Sequence, residues 1–281
     1  MIESGVCLIT GATSGIGKAT AISLAQQGMT VALVSRKREK GEFVLREVAE
    51  KTGNNKVELF IADLSSFGEV RRLAQEVRAK HPTVDILINN AGGVFGSRIL
   101  TKDGIELTFA LNHLSYFLLT NLLLEPLKSA PRGRIINVSS QAHQIGSMAF
   151  DDLGQEKKYN AMRAYAQSKL ANILFTYELA RRLKGTNVTA NTLHPGTVRS
   201  NFGRELSGIG GFFFRNFGVF MRSPEKAAET VTWLALAQEP GGINGKYFLD
   251  KKEIRSSKIS YDVGVARRLW EVSEKMTGIA Q

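Results

Sequence analysis

Short apolar or β-branched runs alternate along this chain with longer stretches of helical period. The runs are VCLIT (6–10), TVALVS (30–35), KVELFIA (56–62), VDILIN (84–89), GRIINVS (133–139), NVTANTL (187–193) and KYFL (246–249). Between them the spacing predicts helices over 15–28, 38–52, 66–80, 104–128, 160–184 and 224–237, with a last one over 262–276. Strands that are apolar almost throughout, separated by helices, imply a parallel sheet covered on both faces. Right-handed crossovers then make the fold doubly wound α/β, with about seven mainly parallel strands. No repeat, low-complexity tract or linker breaks the alternation, so residues 1–281 read as a single domain. Two connections, 140–159 and 196–223, are long, and long loops in compact domains often carry function.

Composition narrows the class. A hydrophobic content of 43% with 22% charged residues describes a globular chain rather than a disordered one. The single cysteine, Cys7, rules out a disulfide framework within the chain, and His81, His113, His143 and His194 lack ligand spacing, so no metal site is expected. Net charge is +11, a balance that can mark nucleic-acid or anionic-membrane binding. The basic residues, however, fall in short separated clusters such as Arg36-Lys37-Arg38 and Arg267-Arg268, with no recognition motif beside them, so nucleic acid is not an expected partner. No membrane-spanning segment is expected either, and the chain reads as cytoplasmic. IGGFFFRNFGVFM (209–221) is short for a span and is interrupted by Arg215 and Asn216; a substrate lid or a peripheral membrane contact fits it better.

The first strand runs straight into TGATSGIGKA, where Gly11, Gly15 and Gly17 precede a helix. Glycines at a strand-to-helix turn let the backbone approach a pyrophosphate at the positive helix end, so Gly11, Ser14, Gly15, Ile16 and Gly17 are candidate dinucleotide contacts in a Rossmann fold. The second strand ends in SRKREK (35–40), which puts Arg36 where an NAD site usually offers an acid. An arginine there suits a 2′-phosphate, so the expected cofactor is NADP(H). After the third strand, Asp63 and Leu64 either meet the adenine or serve the cap of the next helix. After the fourth, Asn90, Ala91 and Gly92 are small enough to lie against the adenosine side.

Tyr165 and Lys169 in AYAQSKLANILF stand four residues apart, on one helix face. Together with the segments above, this pair resembles the short-chain dehydrogenase/reductase family. The glycine motif is matched by Thr10, Gly11, Gly15 and Gly17, and the Asn-Asn-Ala-Gly motif by Asn89 through Gly92. Asn112 in ALNHLSYF, Ser140 in NVSSQAH, and Tyr165 with Lys169 match the catalytic set. HPGTVRS (194–200) is similar to the Pro-Gly loop that lies along the nicotinamide, which adds Pro195, Gly196 and Val198. The phrases AYAQSKLANILFTYELARRL and ARRLWEVSEK narrow the resemblance to the retinol-dehydrogenase-like branch, whose membrane-bound members carry a hydrophobic anchor that has no match here.

The resemblance implies reversible carbonyl reduction. Tyr165 would be the proton donor, Lys169 would lower its pKa and hold the nicotinamide ribose, Ser140 would hydrogen-bond the substrate oxygen, and Asn112 would hold a water leading from Lys169 to solvent. Ser139 is the rival of Ser140, but strand alternation turns the two in opposite directions. His113, His143 and His194 read as structural. Phe202, Phe212, Phe213, Phe214, Phe217 and Phe220 in the substrate-side loop favour a bulky apolar aldehyde, ketone or alcohol over a small polar one; packing into the fold or a subunit interface is the other use for them. A homo-oligomer is compatible with the sequence, and an NADP-binding regulatory or assembly protein without turnover is the alternative function.

Overall fold

The computed structural model describes residues 5–196, 222–236, 238 and 242–279. Val198, the phenylalanines named above and most of the 196–223 loop lie outside the described residues. The strands are β1 (Val6–Thr10), β2 (Thr30–Ser35), β3 (Val57–Ile61), β4 (Ile86–Asn89), β5 (Gly133–Val138), β6 (Val188–Leu193), β7 (Tyr247–Leu249) and β8 (Lys252–Glu253). The helices are α1 (Gly15–Gln26), α2 (Arg38–Thr52), α3 (Phe67–Lys80), α4 (Leu107–Phe109), α5 (Ser115–Leu122), α6 (Leu124–Ser129), α7 (Ala161–Arg182), α8 (Pro224–Leu236) and α9 (Val263–Thr277).

The sheet order is β3-β2-β1-β4-β5-β6-β7-β8, parallel up to β7. The order reverses beside β1, which pairs with both β2 and β4, and at such a switch point the loops on the two sides diverge to leave a crevice. Side chains alternate between two cores. Leu8 points to the face covered by Leu73 and Val77 of α3, Phe117 of α5, Leu174 of α7 and Trp270 of α9. Its neighbours Cys7 and Ile9 point to the other face, against Leu24 of α1, Val44 of α2 and Val231 of α8. A strand buried on both sides must be apolar at consecutive positions, which explains the runs in the sequence.

Two elements differ from the sequence expectation. The sheet gains an eighth, antiparallel strand, because Asp250 (φ 50°) and Lys251 (φ 62°) form a two-residue turn that folds Lys252–Glu253 back on β7. Such turns are usually marked by glycine or asparagine, and neither is present here. The helix expected over 104–128 is broken. Gly104 (φ 75°) still belongs to the preceding turn, and Glu106 caps α4 by accepting the N–H groups of Thr108 and Phe109, each at 2.8 Å. A π-helical turn over Ala110–Leu114 then joins α4 to α5, and α6 restarts so that Pro126 falls in a first turn, where its missing N–H is tolerated. The π turn carries Asn112.

Candidate active site

The carboxyl ends of β1, β2, β4, β5 and β6 meet at one edge of the sheet, and the sequence candidates gather there. Thr10 closes the floor. Its hydroxyl accepts the N–H groups of Asn90 (2.8 Å) and Ala91 (3.0 Å), which ties the end of β1 to the turn after β4. The Asn90 amide donates to the carbonyl oxygens of Thr10 (2.9 Å) and Gly11 (3.2 Å), so this side chain braces the glycine turn from beneath. Gly17 is required by packing: a Cβ there would come within 2.4 Å of the Gly11 oxygen and 2.5 Å of Asn90 Nδ2. Gly11 (φ 64°) and Gly15 (φ 52°) supply the left-handed backbone of the turn.

Helix α1 then starts at Gly15 with no side-chain cap from Ser14 and no acid in its first turn. Its leading N–H groups have no intrahelical partner and lie at the positive end of the helix dipole, a set suited to a pyrophosphate. Arg36 is exposed directly after β2; Arg38 faces Glu42 at 3.6 Å, whereas Arg36 has no ion pair among the described residues. Asp63 accepts from the Ser65 N–H (3.0 Å) and hydroxyl (2.7 Å) in a turn ahead of α3, and Leu64 is buried. The first N–H of α3, on Phe67, is instead taken by Asp103 at 2.9 Å, a partner 36 residues away that local reading misses. These groups fit a nicotinamide dinucleotide laid across the switch point.

The catalytic candidates converge on α7, whose first turn is capped by Asn160 accepting the Arg163 N–H at 2.9 Å. Ser139 and Ser140 follow β5 and do turn opposite ways. The buried Ser139 hydroxyl donates to the Lys169 carbonyl oxygen at 2.8 Å and anchors the helix. The Ser140 hydroxyl accepts the Ala142 N–H at 3.2 Å and acts on the Tyr165 phenol to lower its pKa. Lys169 is 3% exposed, donates to the Val138 carbonyl oxygen at 3.0 Å, and places its nitrogen 5.7 Å from the ring centres of both Tyr165 and Tyr116.

The electrostatics differ from the expected scheme. Burial pushes the Tyr165 phenol up to about 12, and the Ser140 side chain acts against that rise. Burial also pushes Lys169 down to about 7. In the ligand-free protein the group that favours the Tyr165 phenolate is therefore Ser140. Among the described residues Lys169 donates to a neutral carbonyl oxygen and faces no carboxylate, and a desolvated ammonium without an anion loses its proton readily.

Asn112 accepts the Gly93 N–H at 2.8 Å and donates to the Gly93 carbonyl oxygen (2.9 Å) and the Ser168 hydroxyl (3.0 Å). Ser168 in turn donates to the Tyr165 carbonyl oxygen at 2.8 Å, so the π turn, the post-β4 loop and α7 are fastened together. Gly92 separates Asn112 from Lys169: a Cβ there would meet Asn112 Oδ1 at 3.0 Å and Lys169 Nζ at 3.5 Å. Pro195 and Gly196 (φ 83°) leave β6 at the same edge, and the Gly196 N–H donates to His194 Nδ1 at 3.0 Å. The structure thus adds Gly93 and Ser168 as supports and gives Thr10 and Ser139 supporting roles. Ser139 and Ser168 adjoin Ser140 and Lys169 in sequence, whereas Gly93 follows the Asn-Asn-Ala-Gly motif with no signal of its own.

His113 and His194 are buried, and burial is the main cause that takes each down to about 4. His113 lies between Asn172 (3.3 Å) and Ser273 (3.0 Å), away from the reacting groups.

Comparison with known proteins agrees with this geometry. The short chain dehydrogenase family model matches residues 5–208. Human retinol dehydrogenase 13 is 44% identical over 99% of this chain and 86% of its own. An uncharacterized protein from Mycobacterium Paratuberculosis superposes with a TM-score of 0.80 at 34% identity, covering 98% of this chain and 93% of that one. The Pseudomonas aeruginosa RhlG/NADP active-site complex does so with a TM-score of 0.70 at 26% identity, covering 87% and 93%. The chain belongs to the short-chain dehydrogenase family of oxidoreductases, in its retinol-dehydrogenase-like branch.

Proposed function

We propose that the protein is an NADP(H)-dependent oxidoreductase that interconverts bulky apolar aldehydes or ketones with their alcohols. The observation that carries this reading is the buried Tyr165 phenol with Lys169 one helical turn away, its nitrogen 5.7 Å from the ring centre, and Ser140 acting on the same phenol. The cofactor, when bound, supplies or accepts the hydride. Tyr165 gives the proton to the substrate oxygen in the reducing direction and takes it back in the oxidising one. Ser140 donates to the same oxygen and fixes its distance from the phenol. Lys169 holds the ribose, whose hydroxyl oxygens can accept from its ammonium. Among the described residues Asn112 Oδ1 has one donor, from Gly93, and keeps a lone pair for a water shared with Lys169 across Gly92.

The choice of NADP rests on Arg36, and a neighbour at 26% identity is an NADP complex. The apolar substrate is supported by the retinol dehydrogenases among the relatives. Two exposed apolar side chains near the serine and tyrosine agree with it. Ile145 (73% exposed) ends the short helix that Ser140 caps, and Met162 (40%) lies one turn before Tyr165. The test is consumption of NADPH, with NADH in parallel, against a panel of apolar aldehydes and ketones. Turnover with NADPH in preference to NADH is expected. Tight NADPH binding with no turnover across the panel would favour the binding-protein alternative.

A further inference from the structure

His143 follows Ser140 by three residues, and its ring is 1% exposed. Both ring nitrogens are engaged. Nε2 lies 3.1 Å from the backbone nitrogen of Ser257, and an amide N–H can only donate, so Nε2 is the acceptor. The ring hydrogen of the neutral imidazole is then on Nδ1, which lies 2.7 Å from the Ser140 carbonyl oxygen. Tyr247 of β7 packs edge-on against the ring at 5.0 Å. Burial holds the pKa of this histidine below its usual value, which keeps the ring neutral.

Ser257 is itself fixed. Its neighbour Ser256 bonds Tyr177 of α7 (2.8 Å) and Ser260 (2.6 Å) through its hydroxyl, and donates its N–H to the Tyr261 phenol at 3.1 Å. A line of hydrogen bonds therefore runs from the segment after β8, through one imidazole, to the backbone of the residue whose hydroxyl acts on Tyr165. Strand β5 ends one residue before Ser139, so no sheet pairing orients the Ser140 carbonyl, which accepts the His143 backbone N–H at 3.2 Å as well as the shorter bond from the ring.

We infer that His143 is a positioning residue for the proposed reaction: its Nδ1–H fixes the Ser140 carbonyl, and with it the direction of the Ser140 hydroxyl, while Ser257 holds the imidazole in the tautomer able to do so. The inference rests on the reading of Ser140 given under the proposed function.

Two substitutions separate the two links. His143→Asn keeps an N–H at the Nδ1 position and drops the bond to Ser257; His143→Gln keeps an acceptor at the Nε2 position and drops the bond to Ser140. Steady-state kinetics with NADPH and an apolar aldehyde are measured for each, alone and combined with Ser140→Ala, with thermal midpoints as the check on folding. The glutamine variant is expected to lose about tenfold in kcat with KM for NADPH unchanged, and the asparagine variant to stay within about twofold. With Ser140→Ala present, neither should lower kcat further, because the group being positioned is gone. Equal losses in both backgrounds, equal losses for both variants, or no loss at all overturn the inference. Independently of turnover, NMR of the His143 ring in the unsubstituted protein should show the Nδ1–H tautomer. An Nε2–H tautomer overturns the inference even if no tested substrate reacts, whereas failure of every carbonyl tested counts against the proposed function alone.

Discussion

Lys169 and Tyr165 stand one turn apart on α7, both buried, with the lysine nitrogen 5.7 Å from the phenol ring centre. At that separation, with a carbonyl oxygen as its partner at 3.0 Å, the lysine is tuned by its surroundings more than it tunes the tyrosine.

A consequence is a pH-dependent cost to the ligand-free fold. The unfolded lysine titrates near 10.5 and the folded one near 7, so between those values the unfolded chain binds the extra proton and stability rises with pH. Below about 7 both states are charged and the desolvation cost is present in full; above about 10.5 both are neutral and it is gone. Lys169→Met should therefore raise the thermal midpoint most below pH 7, with the gain shrinking towards pH 10.5. A gain independent of pH would show that the buried charge is not its source.

Ser140→Ala removes both the donor to the substrate oxygen and the group that holds the Tyr165 pKa down. Carbonyl reduction should fall by about 10²–10³ in kcat. Alcohol oxidation, which needs the phenolate, should also have its pH profile moved upward. Kinetics in both directions across pH test this; an unshifted oxidation profile would remove Ser140 from the tuning of Tyr165.

Arg36→Asp should weaken NADPH much more than NADH, since only NADPH carries the 2′-phosphate. Loss of one charge-assisted contact and gain of a repulsion amount to about 10²-fold or more in Kd. Titration of both cofactors by fluorescence decides it, and an equal loss for the two would refute the 2′-phosphate role.

Gly17→Ala reverses the usual sign of a helix substitution. Alanine ordinarily stabilises a helix over glycine by about 1 kcal/mol. At Gly17 the new Cβ would lie 2.4 Å from the Gly11 oxygen, so the turn must open, at a cost of about 1–3 kcal/mol. Chemical denaturation should show net destabilisation together with weaker NADPH binding; a more stable variant would mean that the turn has room.

Much of this was legible in the sequence because it rests on local pattern. Continuous apolar runs located seven of the strands, and glycines between strand and helix located the nucleotide end. The four-residue spacing of Tyr165 and Lys169 placed both on one face of α7. What escaped depends on distant partners or on backbone geometry without a signature residue. The π turn at Asn112 has an ordinary helical composition; it forms where Glu106, Gly93 and Ser168 hold it. The β7–β8 hairpin turns on Asp250 and Lys251 with no glycine at either positive-φ position. The link from Ser257 to Ser140 spans 114 residues between Ser257 and His143, beyond any local reading. In the ligand-free protein burial dominates the Tyr165 pKa, a cause that spacing does not reveal. Spacing reveals proximity, whereas the pKa depends on burial by the whole fold.

The most direct measurement is turnover by Tyr165→Phe, which deletes one oxygen and leaves the ring that packs in the site. With NADPH and an apolar aldehyde that the unsubstituted enzyme reduces, the variant should bind NADPH with a Kd near that of the unsubstituted enzyme. It should lose about 10²–10⁴-fold in kcat, the usual range for removing a general acid. Turnover retained at the original rate would contradict the assignment and place the proton donor elsewhere in the site.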